Sequence, residues 1–263
     1  MPATTPDLQS LIREARHVLV FTGAGVSAES GIATFRDALT GLWANNDPQQ
    51  LATPEGFMAD PARVWGWYQW RRQQMLSREP NPAHRAIAAL AQRGARVTVV
   101  TQNVDDLHER AGSEGVIHLH GSLLSTHCFD CAIPAQVPVD PMPLDGAAIP
   151  PPHCEHCNGL LRPGVVWFGE ALPEEAWQQA VEAAQSADLV LVVGTSGLVY
   201  PAAQIPGLAW ERGATVVHVN TEPVPVAAER EYSVVGPAGK ILGDWMSNAD
   251  VGGDGAGHRN VQE

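Results

Sequence analysis

Short apolar runs separated by amphipathic stretches set the rhythm of this chain. Val18–Thr22, Val97–Thr101, Val116–Leu119, Leu189–Gly194 and Thr215–Asn220 are apolar enough to be strands buried on both faces. Between them, Asp7–Arg16 carries Leu8, Leu11, Ile12 and Ala15 on one helical face, and Pro82–Arg93, Pro173–Ser186 and Tyr200–Arg212 are helix-like. Strands alternating with helices predict an α/β, Rossmann-type parallel sheet covered on both sides. Two stretches break the rhythm. Residues 37–78 are helix-like where a second strand is due, and residues 127–157 hold paired cysteines around Ile133–Pro152, whose prolines suit neither a regular helix nor a central strand. The expected organisation is a sheet domain from residues 1–36, 79–126 and 158–247, a helical insertion at 37–78, a cysteine module at 127–157, and a glycine-rich polar tail at 248–263 that is disordered.

Composition narrows the functional classes. The 263 residues suit one large domain with a smaller insert. Sixteen basic against twenty-nine acidic residues give a formal charge of −13, which opposes stable binding to nucleic-acid phosphates and leaves a lysine-bearing protein as a compatible partner. No apolar run approaches the roughly 20 residues needed to cross a bilayer. The N-terminus lacks the basic-then-apolar pattern of a secretory signal. A cytoplasmic monomer without a membrane partner is expected.

Gly23-Ala24-Gly25-Val26-Ser27-Ala28 follows the first strand and fits the G-x-G-x-x-G/A turn, in which glycines let backbone N–H groups reach a pyrophosphate. A glycine-rich turn without a ligand is the alternative. A hydride-transfer enzyme would show an acidic strand end about 20 residues later; Leu42-Trp43-Ala44-Asn45-Asn46 stands there instead. The four cysteines form two knuckles, Cys128-x-x-Cys131 and Cys154-x-x-Cys157, able to enclose one structural Zn2+ with thiolates. His127, His153 and His156 are expected to stand outside that set.

Gly23 to Asp37 resembles the NAD loop of the sirtuins. Thr101-Gln102-Asn103-Val104-Asp105-Asp106-Leu107-His108, His120-Gly121-Ser122, the paired cysteines, Pro163 to Glu170, Gly194-Thr195-Ser196 and Val219-Asn220 resemble further motifs of that family in the same order. The resemblance covers about Leu11 to Leu242 and implies an NAD-consuming protein-lysine deacylase. In that scheme the acyl-lysine oxygen attacks the nicotinamide ribose carbon and nicotinamide leaves. His120 then takes a proton from a ribose hydroxyl, and water finally releases free lysine and O-acyl-ADP-ribose. Gly23, Ala24, Gly25, Ala28, Glu29, Ile32, Phe35 and Arg36 are implied NAD contacts. So are Gln102, Asn103 and Asp105 on the nicotinamide and ribose side, and Gly194, Thr195, Ser196, Asn220 and Ala238 on the adenosine side. Read from residues alone, Asn103 or Asp105 equally suits a helix cap. His118 and His120 share a strand face, so alternation cannot choose between them; the family's His-Gly favours His120.

Tyr68-Gln69-Trp70-Arg71 places Tyr68 and Arg71 three residues apart on one helical face. The pair resembles the Tyr-x-x-Arg of class III sirtuins, which implies recognition of succinyl, malonyl or glutaryl carboxylates, with Ala52 leaving room. A surface ion pair by Arg71 is the bland alternative. Backbone at Val166, Phe168 and Gly169, with 197–200, is implied to clamp the substrate peptide as an added strand. Two rival functions stay open on the residues: a non-catalytic NAD or ADP-ribose binding module, and protein mono-ADP-ribosylation.

Overall fold

The computed structural model describes residues 8–33, 47–138, 147–226 and 229–248. Its first half contains α1 (Leu8–Glu14), β1 (His17–Thr22), α2 (Gly25–Ala28), α3 (Pro48–Leu51), α4 (Pro54–Ala59), α5 (Pro61–Leu76), α6 (Pro82–Leu90), β2 (Arg96–Thr101), α7 (Leu107–Arg110), β3 (Ile117–His118) and β4 (Gly121–Cys128). There follow β5 (Leu161–Val165), α8 (Glu174–Ser186), β6 (Leu189–Val193), α9 (Ile205–Glu211), β7 (Thr215–Asn220), β8 (Glu231–Val235) and α10 (Ala238–Asn248). Residues 37–46 of the helical insertion and the tail beyond 248 lie outside the described residues.

Six strands form one sheet in the order β3-β2-β1-β6-β7-β8, with every neighbouring pair parallel. The alternation of β1 shows why a continuous apolar run was required. Val18 and Val20 enter a core with Ala83 and Ile87 of α6 and Leu242 of α10. Leu19 and Phe21 enter the opposite core with Ala180 and Ala184 of α8 and Ile205 and Ala209 of α9. Burial on both faces leaves Val18–Phe21 wholly apolar, the signature of a covered parallel strand, and the polar residues at its ends, His17 and Thr22, bond to Thr98 and Thr101.

The insertion builds its helices by a repeated local device. Asp47-Pro48, Thr53-Pro54 and Asp60-Pro61 open α3, α4 and α5, each cap side chain accepting a backbone N–H inside its helix. Asn81-Pro82 opens α6 in the same way. Proline is pre-set for the first helical position and the cap satisfies an orphan donor, worth about 1 kcal/mol at each site.

Strands β4 and β5 pair antiparallel with each other and stay apart from the large sheet. Ribbon and cysteine knuckles thus form one unit reaching back to Gly121 and forward to Val165, wider than the 127–157 read from cysteine positions. A third core, with Leu51, Phe57, Val64, Trp67, Tyr68, Leu123, Val165 and Trp167, joins the insertion to this ribbon. The expected strands also shift at their ends. Val116–Leu119 shortens to Ile117–His118, and Leu189–Gly194 stops at Val193 because Gly194 takes φ +62°.

Candidate active site

The strand order reverses between β1 and β6, so the loops leaving their carboxyl ends diverge and open a crevice. At its floor two turns touch. Gly23 N–H donates to the Val193 carbonyl (3.1 Å) and Gly25 N–H to the Gly194 carbonyl (2.8 Å). A Cβ on Gly25 would stand 2.7 Å from the Gly194 oxygen, so only glycine permits this approach. These two amides, expected to face a pyrophosphate, are committed to β6; the glycines act through backbone proximity.

Polar side chains from three strand ends meet above that contact. Gln102 Nε2 donates to Thr195 Oγ1 (2.9 Å), and Asn220 Nδ2 donates to the Thr195 carbonyl (3.1 Å). Ser196 Oγ accepts from Leu198 N–H (3.4 Å). Ala24 is half-buried and Ala28 exposed. Glu29 accepts from Gly239 N–H (2.8 Å) where α10 begins, next to the buried Ala238. Ile32 packs against the insertion core, while Phe35 and Arg36 lie outside the described residues. The surroundings are amides, hydroxyls and exposed backbone, a donor set that fits ribose and phosphate oxygens.

The deeper end is built around Ser27. Its hydroxyl donates to Asp105 Oδ2 (3.0 Å) and accepts from Asn103 Nδ2 (3.1 Å). Asn103 caps no helix with its side chain, whereas Asp105 Oδ1 does accept from Leu107 N–H (3.2 Å). Burial raises the Asp105 carboxyl above its ordinary range, against the Leu107 and Ser27 donors.

Below lie two buried histidines, His84 and His108, with ring centroids 4.9 Å apart. Burial pulls their pKa values to about 4 and about 3. Both are neutral in the fold, whereas a histidine in the unfolded chain takes a proton near pH 6.5. Their depressed values mean that the stability they allow is complete above pH 6.5 and is lost as pH falls toward 4. Urea unfolding at pH 7.5 and pH 5 should show a drop of about 2 kcal/mol for each histidine. An unchanged midpoint would contradict their burial as neutral rings.

His118 and His120 both reach back to the turn after β2, but differently. His120 Nδ1 lies 2.9 Å from the Gln102 carbonyl. A carbonyl only accepts, so Nδ1 carries the hydrogen and Nε2 of the neutral ring keeps its lone pair. Burial, opposed by that carbonyl, lowers the pKa of His120 below the usual histidine value. It is a base ready at neutral pH. The Nε2 of His118 is instead held by Glu109 Oε1 at 2.6 Å. Sequence alternation left these two histidines equivalent; their partners separate them.

The insertion packs an aromatic cluster, Trp67 and Tyr68 with Trp167, against residues 165–170. Phe168 N–H donates to the Ala52 carbonyl and Val166 N–H to the His120 carbonyl, both at 2.9 Å, which ties 165–170 to the insertion and to the base. Tyr68 is buried, and its oxygen accepts the Trp167 indole N–H at 2.9 Å. The hydroxyl proton is therefore available to a ligand. Burial raises the Tyr68 pKa and keeps it a neutral donor. Arg71, half-buried, sets its guanidinium carbon 4.8 Å from the Trp67 ring centroid and 5.8 Å from that of Tyr68. Phe168 is exposed and Gly169 takes φ +87° with open space about it.

Trp167 was quoted in the sequence only as part of a motif. It is braced by Arg162, whose guanidinium forks onto Glu170, donates to the Val165 carbonyl (3.0 Å) and lies 3.5 Å from the indole centroid. Glu170 in turn accepts the Trp167 backbone N–H at 2.7 Å. A buried indole N–H needs a partner, and that requirement is the signal in the sequence that could have singled it out.

At the ribbon's tip the sulfurs of Cys128, Cys131, Cys154 and Cys157 all lie within 4.8 Å of one another. Cys128 to Cys157 is 3.4 Å and Cys131 to Cys154 is 3.8 Å. Four thiolates about 2.3 Å from a tetrahedral Zn2+ stand ~3.8 Å apart, so the set fits that ion. The Cys131 N–H draws the Cys128 thiol down to about 7, while Cys157, despite an N–H from Gly159, is pushed up to about 12 by its neighbouring sulfurs. A dication removes that conflict. His153 is turned to the Asn158 carbonyl (2.8 Å), outside the sulfur cluster. Chelation should lower the unfolding temperature by ~10 °C or more, because metal binding here is folding energy. Unchanged unfolding of protein shown to be metal-free would remove zinc from the account.

A doubly covered sheet with its switch point between β1 and β6, paired cysteine knuckles and an aromatic cluster beside the base define a dinucleotide-binding α/β protein with an inserted metal ribbon. Residues 23–201 match the model of the Sir2 family, and the chain belongs to that family. It is 59% identical over 244 residues to NAD-dependent protein deacylase 1 of Pseudomonas aeruginosa, covering 92% of this chain and 98% of the relative. It is 56% identical to the NAD-dependent protein deacylase of Methylococcus capsulatus, over 90% of this chain and 93% of that one. A solved Sir2 homolog–NAD complex superposes with a TM-score of 0.84 at 42% identity, covering 94% of each chain.

Proposed function

We propose that this protein removes acyl groups from protein lysines with NAD as the consumed co-substrate, and that it prefers succinyl, malonyl and glutaryl groups over acetyl. The observation that carries the activity is the contact of His120 Nδ1 with the Gln102 carbonyl, two residues past β3, which leaves Nε2 of the neutral ring without a hydrogen next to the turn that bears Asn103 and Asp105. NAD supplies an electrophilic ribose carbon. The chain's part is to hold it: Gln102, Thr195, Ser196 and Asn220 toward its sugars, Asn103 and Asp105 toward the amide end, Ala238 and Glu29 near the last helix. His120 accepts the proton of a ribose hydroxyl, so that the sugar oxygen captures the acyl carbon. Val166, Phe168 and Gly169 offer backbone to an extended substrate peptide, and the four cysteines with Zn2+ hold the ribbon that carries them.

The acyl preference rests on Tyr68 and Arg71. A neutral hydroxyl donor and a guanidinium stand near the small side chain of Ala52, in surroundings that suit a terminal carboxylate. The same reading places the protein in the cytoplasm as a monomer without nucleic-acid or membrane partners. Its charge of −13 supports the first exclusion, and among the described residues no helix is long and apolar enough to cross a membrane. Mass spectrometry of products from NAD and a set of acyl-lysine peptides is the test. O-acyl-ADP-ribose with free lysine is expected; ADP-ribose left on protein would mean transfer to protein, and retained NAD without nicotinamide release would mean a binding module.

A further inference from the structure

His118 lies beside the base yet takes no part in the chemistry above. Its Nδ1 is 3.1 Å from the Asn103 carbonyl and its Nε2 is 2.6 Å from Glu109 Oε1. A carbonyl and a carboxylate both only accept, so each ring nitrogen must carry a hydrogen. The ring that satisfies both contacts is the imidazolium. His120, two residues on, faces one carbonyl and stays neutral.

Both rings grip consecutive carbonyls of one turn, those of Gln102 and Asn103. That turn carries Gln102 to Thr195, Asn103 to Ser27 and Asp105 to Ser27. We propose that the His118–Glu109 pair is a positioning device that fixes the Asn103 and Asp105 side chains at the amide end of the NAD crevice. The inference rests on the deacylase reading and adds to it a residue pair that touches no substrate.

The titratable groups facing His118 are Glu109 of α7, Asp105 of the turn and His108, which is buried and neutral. Burial disfavours its proton, but Glu109, the Asn103 carbonyl and Asp105 outweigh that, and the pKa rises above the ordinary histidine value. The device is therefore intact below that raised value and is lost as pH climbs through it. Removing the charge of Glu109 while keeping an acceptor should pull the transition down.

The experiment compares wild type with Glu109→Gln and His118→Gln in kcat/KM for NAD and for an acyl peptide across pH 6 to 10. Wild type should show an alkaline limb in the NAD parameter. In Glu109→Gln that limb should move down by about one pH unit, with KM for NAD up several-fold and the peptide KM little changed. His118→Gln, which does not titrate and has both its donor hydrogens on one nitrogen, should lose the histidine limb altogether. An unmoved limb and unchanged KM for NAD in folded variants would overturn the proposal.

Ring-nitrogen NMR of the unsubstituted protein decides independently of folding in the variants. His118 should titrate above the ordinary histidine value of about 6.5 and His120 below it; a His118 that titrates below that value refutes the device. A wild type that consumes no NAD with any acyl-lysine peptide would sink the deacylase reading itself, a result separable from any effect at Glu109.

Discussion

Replacing His120 by Ala should reduce kcat/KM for deacylation by about 10²–10⁴-fold while leaving the fold intact, because a positioned general base contributes that range. The side chain is half-buried and anchors through the Gln102 carbonyl, so its loss empties no large apolar core. The pH dependence gives a second readout of the same atom. A base works only when unprotonated, so activity falls on the acid side as pH drops through its pKa. Since burial lowers that pKa, the acid limb should lie below the ordinary histidine value of about 6.5. Deacylation assays from pH 5 to 8, with circular dichroism on the variant, check both statements. A folded His120→Ala protein retaining more than about a tenth of wild-type kcat/KM would move the base elsewhere.

What the sequence disclosed follows from which surfaces are buried. The runs at Val18, Val97, Leu189 and Thr215 were legible because parallel strands covered on both sides carry few polar residues, and those they hold, such as Thr98, Thr101 and His218, are hydrogen-bonded. Strand β8, Glu231–Val235, was not: it lies at the sheet's edge, mostly half-buried with Val235 exposed, and its mixed residues give no continuous run. Strands β4 and β5 were hidden for another reason. Their ribbon has only two strands, so Pro163 and Gly164 are tolerated there as they would not be in a central strand.

The site divides along the same line. Local spacing brought out the glycine turn, the cysteine knuckles and the Tyr68 and Arg71 face, since each lies within one short segment. The partner choices join distant segments and left no local trace. Trp167 meets Tyr68 across 99 residues, and the commitment of the Gly23 and Gly25 amides to Val193 and Gly194 needs the β1/β6 neighbourhood, which no motif encodes. The two histidines show the limit most plainly: alternation put them on one face, whereas His118 ends β3 and His120 lies in the turn beyond it, and their partners, Asn103 and Glu109 for one and Gln102 for the other, tell them apart.

Changing Arg71 to Met should cost succinyl-lysine turnover about a hundredfold more than acetyl-lysine turnover. Methionine keeps much of the length and apolar bulk that lies along Trp67 and Tyr68, but it removes the fork of donors. A carboxylate placed there would then be desolvated against one neutral hydroxyl, and a charge left without its partner at a half-buried site is costly. An acetyl group ends in a methyl there and has nothing to lose. Tyr68→Phe should cost selectivity less, since it deletes a single donor worth about 1.5–3 kcal/mol against a charged acceptor. It also strands the Trp167 indole N–H, which now bonds the Tyr68 oxygen, so part of its cost should fall on both substrates alike. The measurement is kcat/KM for succinyl- and acetyl-lysine versions of one peptide with wild type and the two variants. Equal losses on both peptides in Arg71→Met would make Arg71 a support of the fold, and a wild type that favours acetyl-lysine would reject the acidic-acyl preference at once.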